Sequence, residues 1–166
     1  MIVVVMGVSG CGKSTVGQAL AGSLGWQFLD ADDFHPPANV AKMAAGTPLT
    51  DDDRWPWHDR VAGELRAVNA AGSHAVLACS ALRQAYRDRL AAAGDVRFVH
   101  LAGDMPTIAK RIEARRHRYM PASLLASQFA ALEPPVDAIV IDVRKPLAEK
   151  VDAIRAALGD AKAAPR

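Results

Sequence analysis

The sequence predicts an α/β fold of three layers, a parallel sheet with helices on both faces. Three observations predict it. Short apolar runs without polar alternation recur along the chain, which is how strands buried on both faces read. Longer helical stretches separate them, several closed by glycine, the expected helix stop. A glycine-rich loop stands between the first apolar run and the first helical stretch, where such a sheet opens its ligand crevice.

The elements follow in order. Residues 2–6 form the first strand, rich in Val and followed by the glycine loop. Residues 13–24 form a helix stopped by Gly25, and 27–29 a short second strand. A helix over 56–71, opened by Pro56 and closed by Gly72, leads to a strand over 75–79. Residues 83–93 are helical up to Gly94, and 96–101 form the fourth strand. Helices over 107–116 and 122–132, a strand over 138–143 and a helix over 147–158 complete the set. The small, polar tail 159–166 is expected to fray.

The chain has 166 residues, a length that suits one domain with one core, so 1–166 is read as a single domain. Hydrophobic residues make up 51%, enough to fill an interior. A net charge of +2 and a pI near 8.7 leave no dense basic face for nucleic acid. The opening MIVVVMGVSG is too short to span a membrane and lacks a basic leader. Cys11 and Cys79 do not make a disulfide framework and read as reduced thiols of a cytosolic protein.

Gly7-Val8-Ser9-Gly10-Cys11-Gly12-Lys13-Ser14 fits G-x-x-x-x-G-K-[ST] in full. Composition alone yields such a match in a chain this long roughly once in a hundred. The flanking strand and helix are the required context. Glycines let backbone N–H groups turn inward around phosphates, and the next helix aims its positive end at the same place. Lys13 can bridge the β- and γ-phosphates, and the Ser14 hydroxyl can hold Mg²⁺. The motif implies a nucleotide and leaves the acceptor open.

Asp30, Asp32 and Asp33 follow the second strand, at the carboxyl edge where the loop lies. One can hold Mg²⁺ through water, and another can orient or deprotonate a hydroxyl. The alternative is helix capping by Asp32 or Asp33. Asp51-Asp52-Asp53-Arg54 reads as a solvated loop, yet Trp55-Pro56-Trp57 after it argues for order. An Arg beside two Trp residues is a plausible clamp for a carboxylate. His35, His58 and His100 lack metal-ligand spacing. Arg111, Arg115, Arg116 and Arg118 crowd one segment, and Arg111 and Arg115 share a helix face by spacing. They suit a lid that stabilises transferring phosphate, or else a solvated helix end.

Four stretches carry a family resemblance: GVSGCGKST (7–15), FLDADDFHPPANVAKMAAGTPLTDDDRWPWH (28–58), CSALRQAYRDRL (79–90) and SLLASQFAALEPP (123–135). With them the chain resembles the small P-loop gluconate kinases, relatives of shikimate and nucleotide kinases, from Ile2 to about Leu158. The second stretch is the most specific. The resemblance implies strand order 2-3-1-4-5, a short lid near 115–124, ATP, Mg²⁺, D-gluconate as acceptor, a cytoplasmic location and a homodimer. It implies nucleotide contacts over Gly7 to Thr15 (Val8, Ser9, Gly10, Cys11, Gly12, Lys13 and Ser14 between them) and an adenine site at Arg144–Pro146. Asp30 would sit near the metal with Ser14, and Asp32 near the acceptor hydroxyl. His35, Arg54, Ser80, Arg83 and Arg87 would line the sugar-acid side, and Arg111 and Arg115 would be the arginines at the lid's base. Where the family reads Gly-His-Phe-Met-Pro, this chain has His117-Arg118-Tyr119-Met120-Pro121.

Two rival readings stand beside it. One is a kinase for shikimate, a nucleoside or another sugar acid. The other is a P-loop ATPase switch, which stretch 28–58 opposes; a GTPase would also need a guanine-reading N-K-x-D, which the sequence lacks.

Overall fold

A computed structural model describes residues 1–115 and 122–159. The expected lid (115–124) and tail (159–166) fall largely outside the described residues, as do Arg116, Arg118 and the His117–Pro121 departure.

Five parallel strands form one sheet in the order β2-β3-β1-β4-β5, as the resemblance implied. They are β1 (Ile2–Met6), β2 (Gln27–Asp30), β3 (Ala75–Ala78), β4 (Val96–Ala102) and β5 (Ile139–Asp142). The α-helices among the described residues are α1 (Lys13–Leu24), α2 (Pro37–Ala44), α3 (Asp51–Ala70), α4 (Gln84–Ala91), α5 (Met105–Ala114), α6 (Ala122–Ala131) and α7 (Leu147–Ala157). β1 lies at the centre, and all five of its side chains are 0% exposed. Alternation along a strand splits them between two cores. Val3 and Val5 pack with Val16 and Leu20 of α1, Ile108 of α5 and Ile154 of α7. Ile2, Val4 and Met6 pack with Trp57, Val61 and Leu65 of α3 and Leu90 of α4. Each such side chain contributes about 1.5–3 kcal/mol by leaving water. This double burial is why the strands read as unbroken apolar runs.

Two elements depart from expectation. The helix expected from Pro56 starts at Asp51, so Asp51–Arg54 is its first turn and not a solvated loop. Thr50 and Asp53 form a reciprocal capping box there, and the three acids face the positive helix end. That cap outweighs the start signal of Pro56. The second departure is α2, which the sequence reading left unassigned. Its first residue is Pro37, and proline at a helix's first position is pre-set in φ. α2 is held to α3 by Lys42, whose ammonium reaches Asp53 at 2.7 Å.

Candidate active site

The carboxyl edge of the sheet gathers the functional side chains. After β1 the chain turns through residues 7–12 and enters α1 at Gly12, which has φ 98°. Gly7 has φ 144°, and a Cβ there would stand 2.8 Å from Cys11 Sγ and 2.9 Å from the Leu101 carbonyl oxygen. Glycine is required at both points. The Lys13 ammonium donates to the Val8 carbonyl at 3.1 Å, so it folds back over the loop. Cys11 and Cys79 are buried free thiols. Burial pushes Cys79 up to about 12, so it stays a neutral thiol.

Asp30 ends β2 beside this loop. Its carboxylate accepts from the Ser14 hydroxyl at 3.1 Å and from the Asp32 backbone N–H at 3.0 Å. The capping expected of Asp32 or Asp33 therefore falls to Asp30, which heads a 3₁₀ turn over Ala31–Phe34. Asp32 is left with its carboxylate 84% exposed, and among the described residues its ionic partner is His35, at 3.8 Å. Lys13, Ser14, Asp30, Asp32 and Arg115 line one cavity of ≈ 680 Å³.

A second cavity, of ≈ 590 Å³, adjoins the first and shares Met43, Ser80 and Gln128 with it. Arg54, Arg83, Trp57, His58 and Tyr86 lie in its wall. Asp51 draws this wall together. It lies 3.9 Å from Arg54 and 3.3 Å from Arg83, and it accepts from the Tyr86 hydroxyl. The Tyr86 hydrogen bond, then the two arginines, hold its carboxyl below the usual range. Two guanidinium groups around one carboxylate leave the wall net positive. His58 is 1% exposed, stacks on Tyr86, and has no hydrogen-bond partner for either ring nitrogen among the described residues. Burial lowers its pKa to about 4, so it is a neutral imidazole with a donor and an acceptor to offer.

Two expected residues line neither cavity. Arg87 is 2% exposed, and its guanidinium donates to the carbonyls of Ala81, Leu82 and Glu133 and to the Gln84 side chain. It pins the turn at Ala81, where φ is +44°, and does not line the acceptor wall. Arg87→Leu is expected to cost about 3 kcal/mol of stability, since several buried carbonyls lose their donor. A denaturation curve checks this; a loss under about 0.5 kcal/mol would contradict it. His35 lines neither cavity. It stacks on Trp57 at 4.1 Å and backs the wall from behind.

The arginine pair is also changed. α5 ends at Ala114, and Arg115 is its extended C-cap, with φ −88° and ψ 94°, so the two do not share a helix face. Arg111 donates to the Val143 carbonyl at 3.1 Å and passes close to Gly12. Arg144 is exposed and paired with Asp142 at 2.6 Å, while Pro146 caps α7.

Comparison with known proteins decides the family. A family model described as an AAA domain matches residues 2–161. A probable gluconokinase of Xenopus tropicalis is 43% identical, over 93% of this chain and 91% of its own. A gluconokinase of Gluconobacter oxydans is 51% identical over 81% of this chain and 76% of its own. The chain belongs to the gluconokinase family. The crystal structure of a gluconokinase from Sinorhizobium meliloti superposes with a TM-score of 0.87 at 43% identity, covering 95% of this chain and 91% of that one.

Within the gluconokinase frame, sequence reasoning missed three groups. Asp51 was hidden in an acidic run, and only its place on α3 makes it the partner of two arginines. Gln128 and Glu133 sit in a stretch that carried the resemblance but has no charge pattern to mark them. The spacing of Leu124, Ser127, Gln128 and Ala131 is the available signal, because it puts all four on one helix face.

Proposed function

We propose that this chain transfers the γ-phosphoryl group of ATP to D-gluconate, giving 6-phospho-D-gluconate and ADP. The observation that carries the proposal is the continuity of the two cavities: a phosphate loop with two acids opens directly onto a wall with Arg54 and Arg83. A sugar acid needs a cation for its carboxylate and partners for several hydroxyls. The guanidinium groups supply the first, and Ser80, in the lining of both cavities, offers a hydroxyl toward the second.

In the reaction, the acceptor hydroxyl oxygen bonds to the γ-phosphorus and the bond from γ-phosphorus to the bridging oxygen of ADP breaks. The hydroxyl proton passes to Asp32 or through it to water. Phosphoryl transfer has a loose transition state, so aiming the hydroxyl matters more than full deprotonation. Asp32 suits that task because its carboxylate is open to the cavity and, among the described residues, accepts no hydrogen bond. Lys13 and the loop N–H groups of residues 7–15 hold the phosphates. Arg111 and Arg115 meet the charge that spreads over the transferred group. Ser14 and Asp30 would hold Mg²⁺: a hydroxyl and a carboxylate already in contact suit an ion that keeps most of its ligands as water and phosphate oxygen. When bound, the ion supplies charge neutralisation between the phosphates. The family resemblance supports adenine at Arg144 and Pro146, a homodimer and a cytoplasmic location. No described helix is long and apolar enough to cross a membrane.

The test is an acceptor panel. ATP turnover should be stimulated strongly by D-gluconate and little by shikimate or nucleoside monophosphates. Equal stimulation by all three, or none by gluconate, would overturn the proposal.

A further inference from the structure

α6 has two faces with separate tasks. Leu125 and Phe129 pack into the core shared with α1 and α7. Leu124, Ser127, Gln128 and Ala131 face the acceptor cavity. The far end of the helix is fixed to the other wall by Glu133. Its backbone N–H donates to the Leu82 carbonyl at 2.9 Å, its carbonyl accepts from Arg87 at 2.8 Å, and its carboxylate accepts from the Gln84 N–H at 2.6 Å.

One side chain ties α6 to the phosphate loop. The Gln128 amide oxygen accepts from the Ser9 backbone N–H at 2.6 Å, and its amide nitrogen donates to the Ser9 hydroxyl at 2.8 Å. Paired bonds to one residue fix direction as well as distance, as a single bond cannot. Ser9 belongs to the nucleotide cavity, and Gln128 lines both cavities. Of the three residues the cavities share, Met43 has no polar group able to hold the loop. Ser80 meets the loop only through its backbone carbonyl, which accepts from the Gly7 N–H at 3.3 Å.

We propose that Gln128 is a positioning residue that locks the acceptor wall α6 onto the phosphate loop through Ser9, so that phosphoryl donor and acceptor hydroxyl are held in one register. The inference rests on the kinase reading above, because register matters only where a group passes between the two cavities. A misplacement of about 1 Å between reacting groups costs on the order of a hundredfold in rate. A residue that sets this distance therefore acts on kcat without touching the transferred phosphoryl.

The experiment compares Gln128→Met, Ser9→Ala and the double variant with the parent protein at saturating ATP and gluconate. Methionine keeps the length of the side chain and removes both bonds. Gln128→Met should lower kcat roughly tenfold or more, with the KM for ATP within about threefold and an unchanged melting temperature. Its yield of ADP should exceed its yield of phosphorylated acceptor, because water reaches a donor that the acceptor no longer meets. Ser9→Ala keeps the bond from its N–H and should lose less. The double variant should be no slower than Gln128→Met alone, since both act through one link. Losses that multiply, or a Gln128→Met enzyme with parental kcat and equal yields, would overturn the inference. So would a fall in kcat accompanied by a large fall in melting temperature, which marks a merely structural side chain; Gln128→Asn, too short for the link yet still polar, should lose rate as Gln128→Met does, and a parental kcat in it would also overturn the inference. If the parent protein phosphorylates a different acceptor, the gluconate assignment fails instead, and the same comparison with that acceptor still decides the role of Gln128.

Discussion

Replacing Lys13 by alanine is expected to lower kcat by on the order of a hundredfold or more, as loss of a single charge-stabilising donor does. The side chain lies over the phosphate loop, with its ammonium 3.1 Å from the Val8 carbonyl and its surface in the nucleotide cavity. Only interactions that strengthen in the transition state accelerate the chemical step. The loop's backbone N–H groups and the α1 N-terminus remain in Lys13→Ala, so ATP affinity should fall much less than rate. Steady-state kinetics beside calorimetric ATP titration separates the two. A variant with near-normal kcat would contradict the role given to the loop.

Asp32→Asn should cut kcat about a hundredfold or more while leaving ATP binding nearly intact. The change keeps the shape of the side chain and removes its charge and proton-accepting ability. Among the described residues no hydrogen bond depends on the Asp32 carboxylate, so the loss should appear in rate and not in stability. Asp30→Asn should behave differently. Asp30 faces Ser14 and holds the turn through the Asp32 N–H, and its asparagine can still accept that bond. The expected result is weaker apparent Mg²⁺ affinity, with part of the rate restored by excess Mg²⁺. A Mg²⁺ titration of both variants at saturating gluconate distinguishes them. Rescue of Asp32→Asn but not Asp30→Asn would reverse the two roles, and undiminished rates in both would reduce the acids to helix caps.

The parts legible in the sequence were those governed by local rules. β1 and α1 have the expected bounds, because a doubly buried strand, a glycine loop and a glycine stop each leave a local signature. Asp30, Asp32, Ser80 and Arg83 come to two adjoining cavities because strand ends share one edge of the sheet, and Arg54 reaches the second from the first turn of α3. What was not legible depends on contacts across the chain. Nothing local distinguishes Arg87, which serves carbonyls of its own turn and of Glu133, from Arg83, which faces the cavity. The start of α3 was masked by Pro56, a stronger signal by eye than the Thr50–Asp53 pair. Arg115 follows the helical spacing of Arg111 in sequence, but the helix ends one residue before it.

The measurement that bears most directly on the whole account follows ADP and phosphorylated acceptor together, with D-gluconate as the sole acceptor. The account predicts that both rise at equal rates, that the product is phosphorylated at the 6-position, and that little ADP forms without gluconate. ADP released at the same rate with and without gluconate, with no phosphorylated sugar acid, would make the chain an ATPase and contradict it.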